Sequence, residues 1–228
     1  MTFSMEWENI YKNHAHLSIW PWSDLVSYVV RYARPDRKGM RVLEVGFGAG
    51  ANIPFFAKFQ ADFYGIDGSQ TIVEVVRKEY PQYCANLICG DFTREIPFDE
   101  GFDLIVDRSA IIQNDTAAMR AAVSLIYTKL RNGGKFIGID WFSTKHSAFA
   151  QKDCAVVDDY TRASFKSGYF CGLGNVHFSN RAHLIELLSN ANFEIEKLEH
   201  KTYEDYSLEN EDIIYILASW NFVATRKG

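Results

Sequence analysis

Apolar and polar positions follow two rhythms along this chain, and the alternation between them outlines a fold. Residues 22–34 place Leu25, Val26, Val29, Val30 and Ala33 at helical spacing, so a helix is predicted there, ended by Pro35. A short apolar run, Val42, Leu43 and Val45, then reads as a buried strand. Further strands are predicted at 62–67, 86–92, 102–107 and 133–140, with helices between them at 52–60, 69–79 and 115–131. Pro81 stops the second of these helices. Asp115 or Thr116 is the N-cap of the third, and Gly133 lies just past its end. Strand and helix in regular alternation imply an α/β fold with a doubly wound parallel sheet and right-handed crossovers. After a helix at about 180–191, segments 193–200 and 213–224 read as two final strands joined by an acidic loop.

Residues 141–178 break this rhythm, with few periodic apolar positions, many aromatics, and Gly168, Gly172 and Gly174. Ligands of open α/β sheets sit at the carboxyl ends of the strands, and this insert leaves from one of those ends. It is expected to be a lid-like connection without regular structure. Residues 1–38 are expected to form an N-terminal helical arm, so that 1–228 make one domain.

Composition narrows the partners. With 228 residues, 47% of them hydrophobic, the chain can bury a substantial core. A net charge of −5 argues against a broad nucleic-acid-binding surface, which is usually basic, so no nucleic-acid partner is expected. No apolar run approaches the roughly 20 residues that cross a bilayer. The start, MTFSMEWENIYKNH, lacks the basic and apolar regions of a secretory signal, so no membrane contact and a cytoplasmic location are expected. Cys84, Cys89, Cys154 and Cys171 contain no C-x-x-C pair and are expected to be reduced thiols. His14 and His16 stand two apart without a third ligand nearby, and no metal is expected. Monomer and homodimer are both open.

The first strand runs straight into Gly46-Phe47-Gly48-Ala49-Gly50. Glycines at alternate positions let the backbone turn sharply and approach a ligand without Cβ atoms in the way. The helix start that follows offers unpaired N–H groups. Gly46, Gly48 and Ala51 satisfy a dinucleotide fingerprint, which accepts alanine at its third place. Glu44 and the extra Gly50 instead make the pattern E-x-G-x-G-x-G. Asp67, at the tip of the second strand with Ser69 as helix N-cap behind it, suits ribose hydroxyls under either reading. Gly90-Asp91-Phe92 ends the third strand.

In this order and spacing, the motifs over about residues 40–141 resemble the class I S-adenosylmethionine-dependent methyltransferases. The resemblance implies a Rossmann-like seven-stranded sheet, mostly parallel, with a C-terminal antiparallel hairpin, and S-adenosyl-L-methionine as cofactor. It sets the glycine turn against the methionine part, Asp67 on the ribose, and Asp91 with Phe92 on the adenine. The cofactor-binding residues it implies are Glu44, Gly46, Phe47, Gly48, Gly50, Asn52, Asp67, Gly68, Ser69, Gly90, Asp91, Phe92 and Asp107.

Methyl transfer from a sulfonium needs alignment and exclusion of water more than proton transfer, so the lack of a triad does not argue against catalysis. Asp107 and Arg108 are the candidate catalytic residues, and Arg108 either holds an acidic group of the acceptor or pairs with Asp107. Trp20, Trp22, Arg108, Gln113 and Trp141 are the candidate substrate-binding residues. With Phe142, Tyr169 and Phe170 they suit a small, partly apolar or ring-shaped acceptor. Trp7 and Tyr11 on the arm are placed to fold over the cofactor pocket. Asp107-Arg108-Ser109-Ala110 stands where an Asn-Pro-Pro-Tyr type of motif would mark amino-group methylation of bases, and no Pro-Cys nucleophile follows. Two other functions fit the same fold. An NAD(P)-dependent oxidoreductase predicts Tyr-x-x-x-Lys, and no tyrosine here has lysine four residues later. A non-catalytic S-adenosylmethionine-binding protein is the other, since a fold does not prove turnover.

Overall fold

Strands whose residues are apolar on both faces must be covered on both faces, and the chain does this with helices. The computed structural model describes residues 5–13, 17–35 and 38–228. Helices α1 (Met5–Lys12) and α2 (Ser23–Tyr28) precede strand β1 (Arg41–Val45). Then follow α3 (Ile53–Lys58), β2 (Asp62–Asp67), α4 (Gln70–Glu79), β3 (Leu87–Cys89), β4 (Phe102–Arg108), α5 (Thr116–Lys129) and β5 (Leu130–Phe142). Next come three short strands, β6 (Ala155–Val156), β7 (Thr161–Ala163) and β8 (Val176–His177), and then α6 (Arg181–Asn190), β9 (Phe193–Tyr206) and β10 (Ile213–Arg226).

The main sheet has seven strands in the order β3-β2-β1-β4-β5-β10-β9. β1 to β5 are parallel, and β10 inserts antiparallel between β5 and β9. From β1 the chain first builds outward through β2 and β3, then returns to place β4 on the other side. A crevice therefore opens at the β1/β4 switch point. Successive residues of β4 serve opposite faces, as the pleat requires. Leu104 and Val106 join Val42, Ile137 and Ile139 in one core with Leu25, Phe56 and Val73 of α2, α3 and α4. Ile105 joins Leu43, Val45 and Phe136 in another, against Met119 and Val123 of α5 and Leu184 of α6.

Local chemistry sets the element ends. The Ser69 hydroxyl accepts the Ile72 N–H (3.2 Å) at the start of α4, and Asp115 Oδ1 accepts the Ala118 N–H (2.8 Å) at the start of α5. The helix predicted over 22–34 changes character midway: α2 widens into a π turn over Val29–Ala33, closed by Arg34 in the left-handed region ahead of Pro35.

Two regions differ from expectation. The 141–178 insert is not irregular: β6, β7 and β8 form an antiparallel sheet of their own over a small core of Ala148, Phe165, Phe170, Val176 and Phe178. The last hairpin is also longer than predicted, because polar residues 201–206 continue β9 opposite β10. His14 and His16 lie outside the described residues. Among the described residues no group of three His, Cys, Asp or Glu is arranged to hold a metal ion, and no helix is long and apolar enough to cross a membrane.

Candidate active site

The carboxyl ends of β1, β2 and β4 open into a cleft of about 710 Å³. Its floor is the glycine turn. Gly46 has φ +67°, and its N–H donates to the Ile66 carbonyl (2.7 Å). A Cβ at position 46 would lie 2.1 Å from the Ala110 Cβ, so the turn meets the loop after β4 only because residue 46 has no side chain. The Gly48 and Ser69 N–H groups donate to the two carboxylate oxygens of Asp67, each at 2.9 Å. Burial pushes Asp67 up to about 6, against the pull of those two backbone donors.

Glu44 is 2% exposed and accepts from Asn52 Nδ2 (2.7 Å) through Oε1. Its buried Oε2 has no hydrogen-bond partner. Burial raises Glu44 to about 8; the Asn52 bond opposes this, and the neighbouring carboxylates of Asp107 and Asp67 reinforce it. Phe47, Gly68, Gly90, Asp91 and Phe92 also line this end of the cleft. Asp91 Oδ1 is held by the Thr93 N–H (3.0 Å) and hydroxyl (2.6 Å).

The arm covers the same end. Glu8 of α1 accepts from the Ser69 and Thr71 hydroxyls at the start of α4, and Trp7 and Tyr11 line the cleft. A Cβ on Gly48 would stand 3.1 Å from the Tyr11 hydroxyl. Burial works to raise Glu8, but hydrogen bonds from Ser69, Thr71 and Lys12 bring it down to about 2.

Several expected contacts lie elsewhere. Asp107 is fully buried: Oδ1 accepts the Ala110 and Ile111 N–H groups (3.1 and 3.0 Å), and Oδ2 accepts the Trp141 indole N–H (2.6 Å). Burial raises Asp107 to about 7 despite those donors. Asp107 thus shapes the turn after β4 instead of facing a ligand, and Trp141 sits in the core beside Phe136 and Phe222. Gly50 packs toward Ile53 and Val76, and Ser69 is buried as a helix cap. Trp20, at 76% exposure, lies outside the cleft.

The opposite end of the cleft is built from side chains. Arg108 stacks on Trp22 at 3.6 Å from the ring centroid, and its Nη2 donates to Asp140 Oδ2 (3.1 Å). Asp140 Oδ1 also accepts from Lys201 Nζ (2.7 Å), and Lys201 pairs in turn with Asp24. Ser109 (φ 60°) and Asp140 (φ 56°) are non-glycine residues in the left-handed region. They hold each other there through Ser109 Oγ to Asp140 O (3.0 Å), and Asn221 Oδ1 accepts the Asp140 N–H (2.9 Å). Gln113 Nε2 donates to Ser109 O (3.3 Å), while its buried Oε1 has no partner.

Phe142, His146, Tyr169, Phe170 and Leu173 of the insert, and Tyr203, Leu217 and Ser219 of the hairpin, complete this end. Of these, His146, Leu173 and the hairpin residues went unrecognised in the sequence. No local pattern marks them, since they reach the cleft from up to about a hundred residues beyond Arg108.

Residues 42–134 match the family model described as a methyltransferase domain. No curated protein matches the chain. Among solved structures, an S-adenosylmethionine-dependent methyltransferase from Methanosarcina mazei is 13% identical with TM-score 0.67, covering 91% of this chain and 99% of that one. A structure concerned with conversion of a disulfide bond into a thioacetal group during echinomycin biosynthesis is 17% identical with TM-score 0.64, covering 100% and 93%. The 1,6-didemethyltoxoflavin-N1-methyltransferase of Burkholderia thailandensis, with bound 1,6-didemethyltoxoflavin and S-adenosylhomocysteine, is 14% identical with TM-score 0.61, covering 90% and 78%.

The residues present fit the cofactor such a domain uses. Buried carboxylates of Glu44 and Asp67 have no cationic side chain paired with them among the described residues, and Glu44 keeps one oxygen unbonded. A cationic ligand rich in hydrogen-bond donors supplies what they lack. By the match over residues 42–134 and the strand order, the chain shares the fold of the S-adenosylmethionine-dependent methyltransferases to which it is similar.

Proposed function

We propose that the protein methylates a small-molecule acceptor held at the end of the cleft between Arg108, the 142–173 part of the insert and the β9–β10 hairpin. The observation that carries this reading is the continuity of the cleft: one cavity runs from Gly46 and Asp67 to Phe142, Tyr169 and Tyr203. Its far end is walled by aromatic and apolar side chains and covered by a segment with its own core. Such a space suits a molecule of metabolite size, and the acidic chain is poorly matched to long polyanions. The acceptor seen with the Burkholderia neighbour supports a small substrate.

In this reading residues 1–38 and 141–178 serve one domain as arm and lid, and the enzyme acts in the cytoplasm. Bound S-adenosylmethionine supplies an activated methyl group whose departure leaves a neutral thioether. The chain's part is to bind, orient and exclude water. Gly46, Gly48, Asp67, Asp91 and Phe92 bind the cofactor. Asp107 fixes the Arg108–Ile111 turn from behind, and Arg108, Gln113 and Trp22 form the acceptor wall. Radiolabelled cofactor added to lysate fractions tests the reading. Label in a small product is the expected result; label only in tRNA or protein overturns it.

A further inference from the structure

His146 is 2% exposed and forms part of the cleft wall, yet the functional reading above gives it no task. Its Nδ1 accepts the Ala148 N–H at 3.1 Å, capping the short 3-10 turn of Ser147–Ala150. A backbone N–H can only donate, so Nδ1 carries no proton. In the neutral ring the proton is therefore on Nε2. The ring is neutral because burial lowers its pKa to about 4. Nε2 is buried and has no partner among the described residues. Around it stand Phe142 at 5.4 Å, Phe170 at 5.2 Å, Phe178 at 5.7 Å and Tyr215 at 5.6 Å between ring centroids. An N–H donor held in an apolar wall without an acceptor is costly unless a ligand supplies one.

The charges nearby point the same way. Arg108 and Lys201 are balanced in charge by Asp140 and Asp24, so this wall does not call for a charged acceptor, although Arg108 Nε is also a buried donor without a partner among the described residues. Gln113, whose buried Oε1 is also unbonded, lines the same cleft. We propose that His146 donates a hydrogen bond from Nε2–H to the methyl acceptor, which is a neutral, ring-bearing molecule with a hydrogen-bond-accepting oxygen or nitrogen. This rests on the far end of the cleft being the acceptor site, and it makes His146 a binding residue that selects the acceptor, not a general base.

Two substitutions separate the donor from the cap. His146→Asn keeps an oxygen where Nδ1 caps Ala148 and removes the Nε2 donor; His146→Gln keeps a donor near Nε2 and gives up the cap. With the protein loaded with S-adenosylhomocysteine, acetophenone and ethylbenzene serve as probes that differ by one carbonyl. The expected result is acetophenone binding about tenfold more tightly to the wild type, a preference lost in His146→Asn and kept in His146→Gln. In the ¹⁵N-labelled wild type, acetophenone shifts the His146 Nε2 resonance and ethylbenzene does not. Equal binding of the two probes, or a preference lost only in His146→Gln, overturns the proposal. If neither probe binds while S-adenosylhomocysteine still does, the acceptor site is elsewhere, and the small-molecule reading falls with it.

Discussion

The two ends of the cleft are made from different materials. Around Gly46, Gly48 and Asp67 the floor is the backbone of the glycine turn, with a carboxylate clamped between two main-chain N–H groups. Around Arg108, Asp140 and His146 it is side chains from six separated stretches of sequence. Backbone walls tolerate little change, because φ values and close approaches leave no room to adjust. Side-chain walls can be rebuilt one residue at a time. An enzyme that keeps its cofactor while changing its acceptor needs this division.

The contrast can be broken hardest at Gly46. Gly46→Ala adds a Cβ that overlaps Ala110 and forces an alanine into φ +67°, a cost of about 3 kcal/mol. Binding of S-adenosylhomocysteine, followed by calorimetry, should fall about 100-fold. Asp67→Ala comes next. It frees the Gly48 and Ser69 N–H groups and removes an acceptor of hydrogen bonds worth roughly 1.5–3 kcal/mol each, so cofactor affinity should drop tenfold or more. Unchanged affinity with the fold intact would show that Asp67 does not touch the cofactor.

The third prediction concerns pH. Burial keeps Glu44 protonated to about pH 8, whereas an exposed glutamate ionises near 4.5. Its contribution to the empty fold is therefore complete below about 4.5 and is lost as pH rises through 8. S-adenosylmethionine paired with ionised Glu44 should release a proton on binding at pH 7. Its affinity should rise by up to about tenfold per pH unit on approaching pH 8. Glu44→Gln should abolish both effects, which titrations in buffers of different ionisation enthalpy will measure.

At the proposed acceptor end the expected effects are smaller. Trp22→Ala exposes the face of Arg108 and should lower acceptor turnover by about fivefold, the loss of one cation–π contact, with cofactor affinity unchanged. Trp20→Ala marks the floor of the series. Its side chain is outside the cleft and largely in water, so stability and turnover should stay within about 0.5 kcal/mol of wild type.

The arm divides between the two ends. From sequence, Trp7 and Tyr11 are set over the cofactor pocket and Trp20 and Trp22 at the acceptor. Glu8 on Ser69 and Thr71, and Tyr11 beside Gly48, tie α1 to the cofactor end, while Trp22 further along reaches Arg108. Removal of residues 1–20 should therefore weaken cofactor binding as well as turnover.

What could be read from residue order alone was whatever is local. The β1–glycine turn, Asp67 before its cap and the β5 strand are contiguous, so spacing and residue type already carry their geometry. The order of alternating elements carried the parallel sheet, and the capped helices α4 and α5 fell where Ser69 and Asp115 placed them. Tertiary structure decided the rest. Asp140 and Trp141 are neighbours, and only the pleat and the left-handed φ at Asp140 send one to Arg108 and the other into the core. Asp107 looked like a contact residue because it ends a strand, but burial and three donors turned it inward. His146 and Tyr203 share the cleft with Arg108, and Lys201 shares its partner Asp140, because the insert and the hairpin fold back over the sheet, and pairings across such distances leave no periodic trace in the sequence.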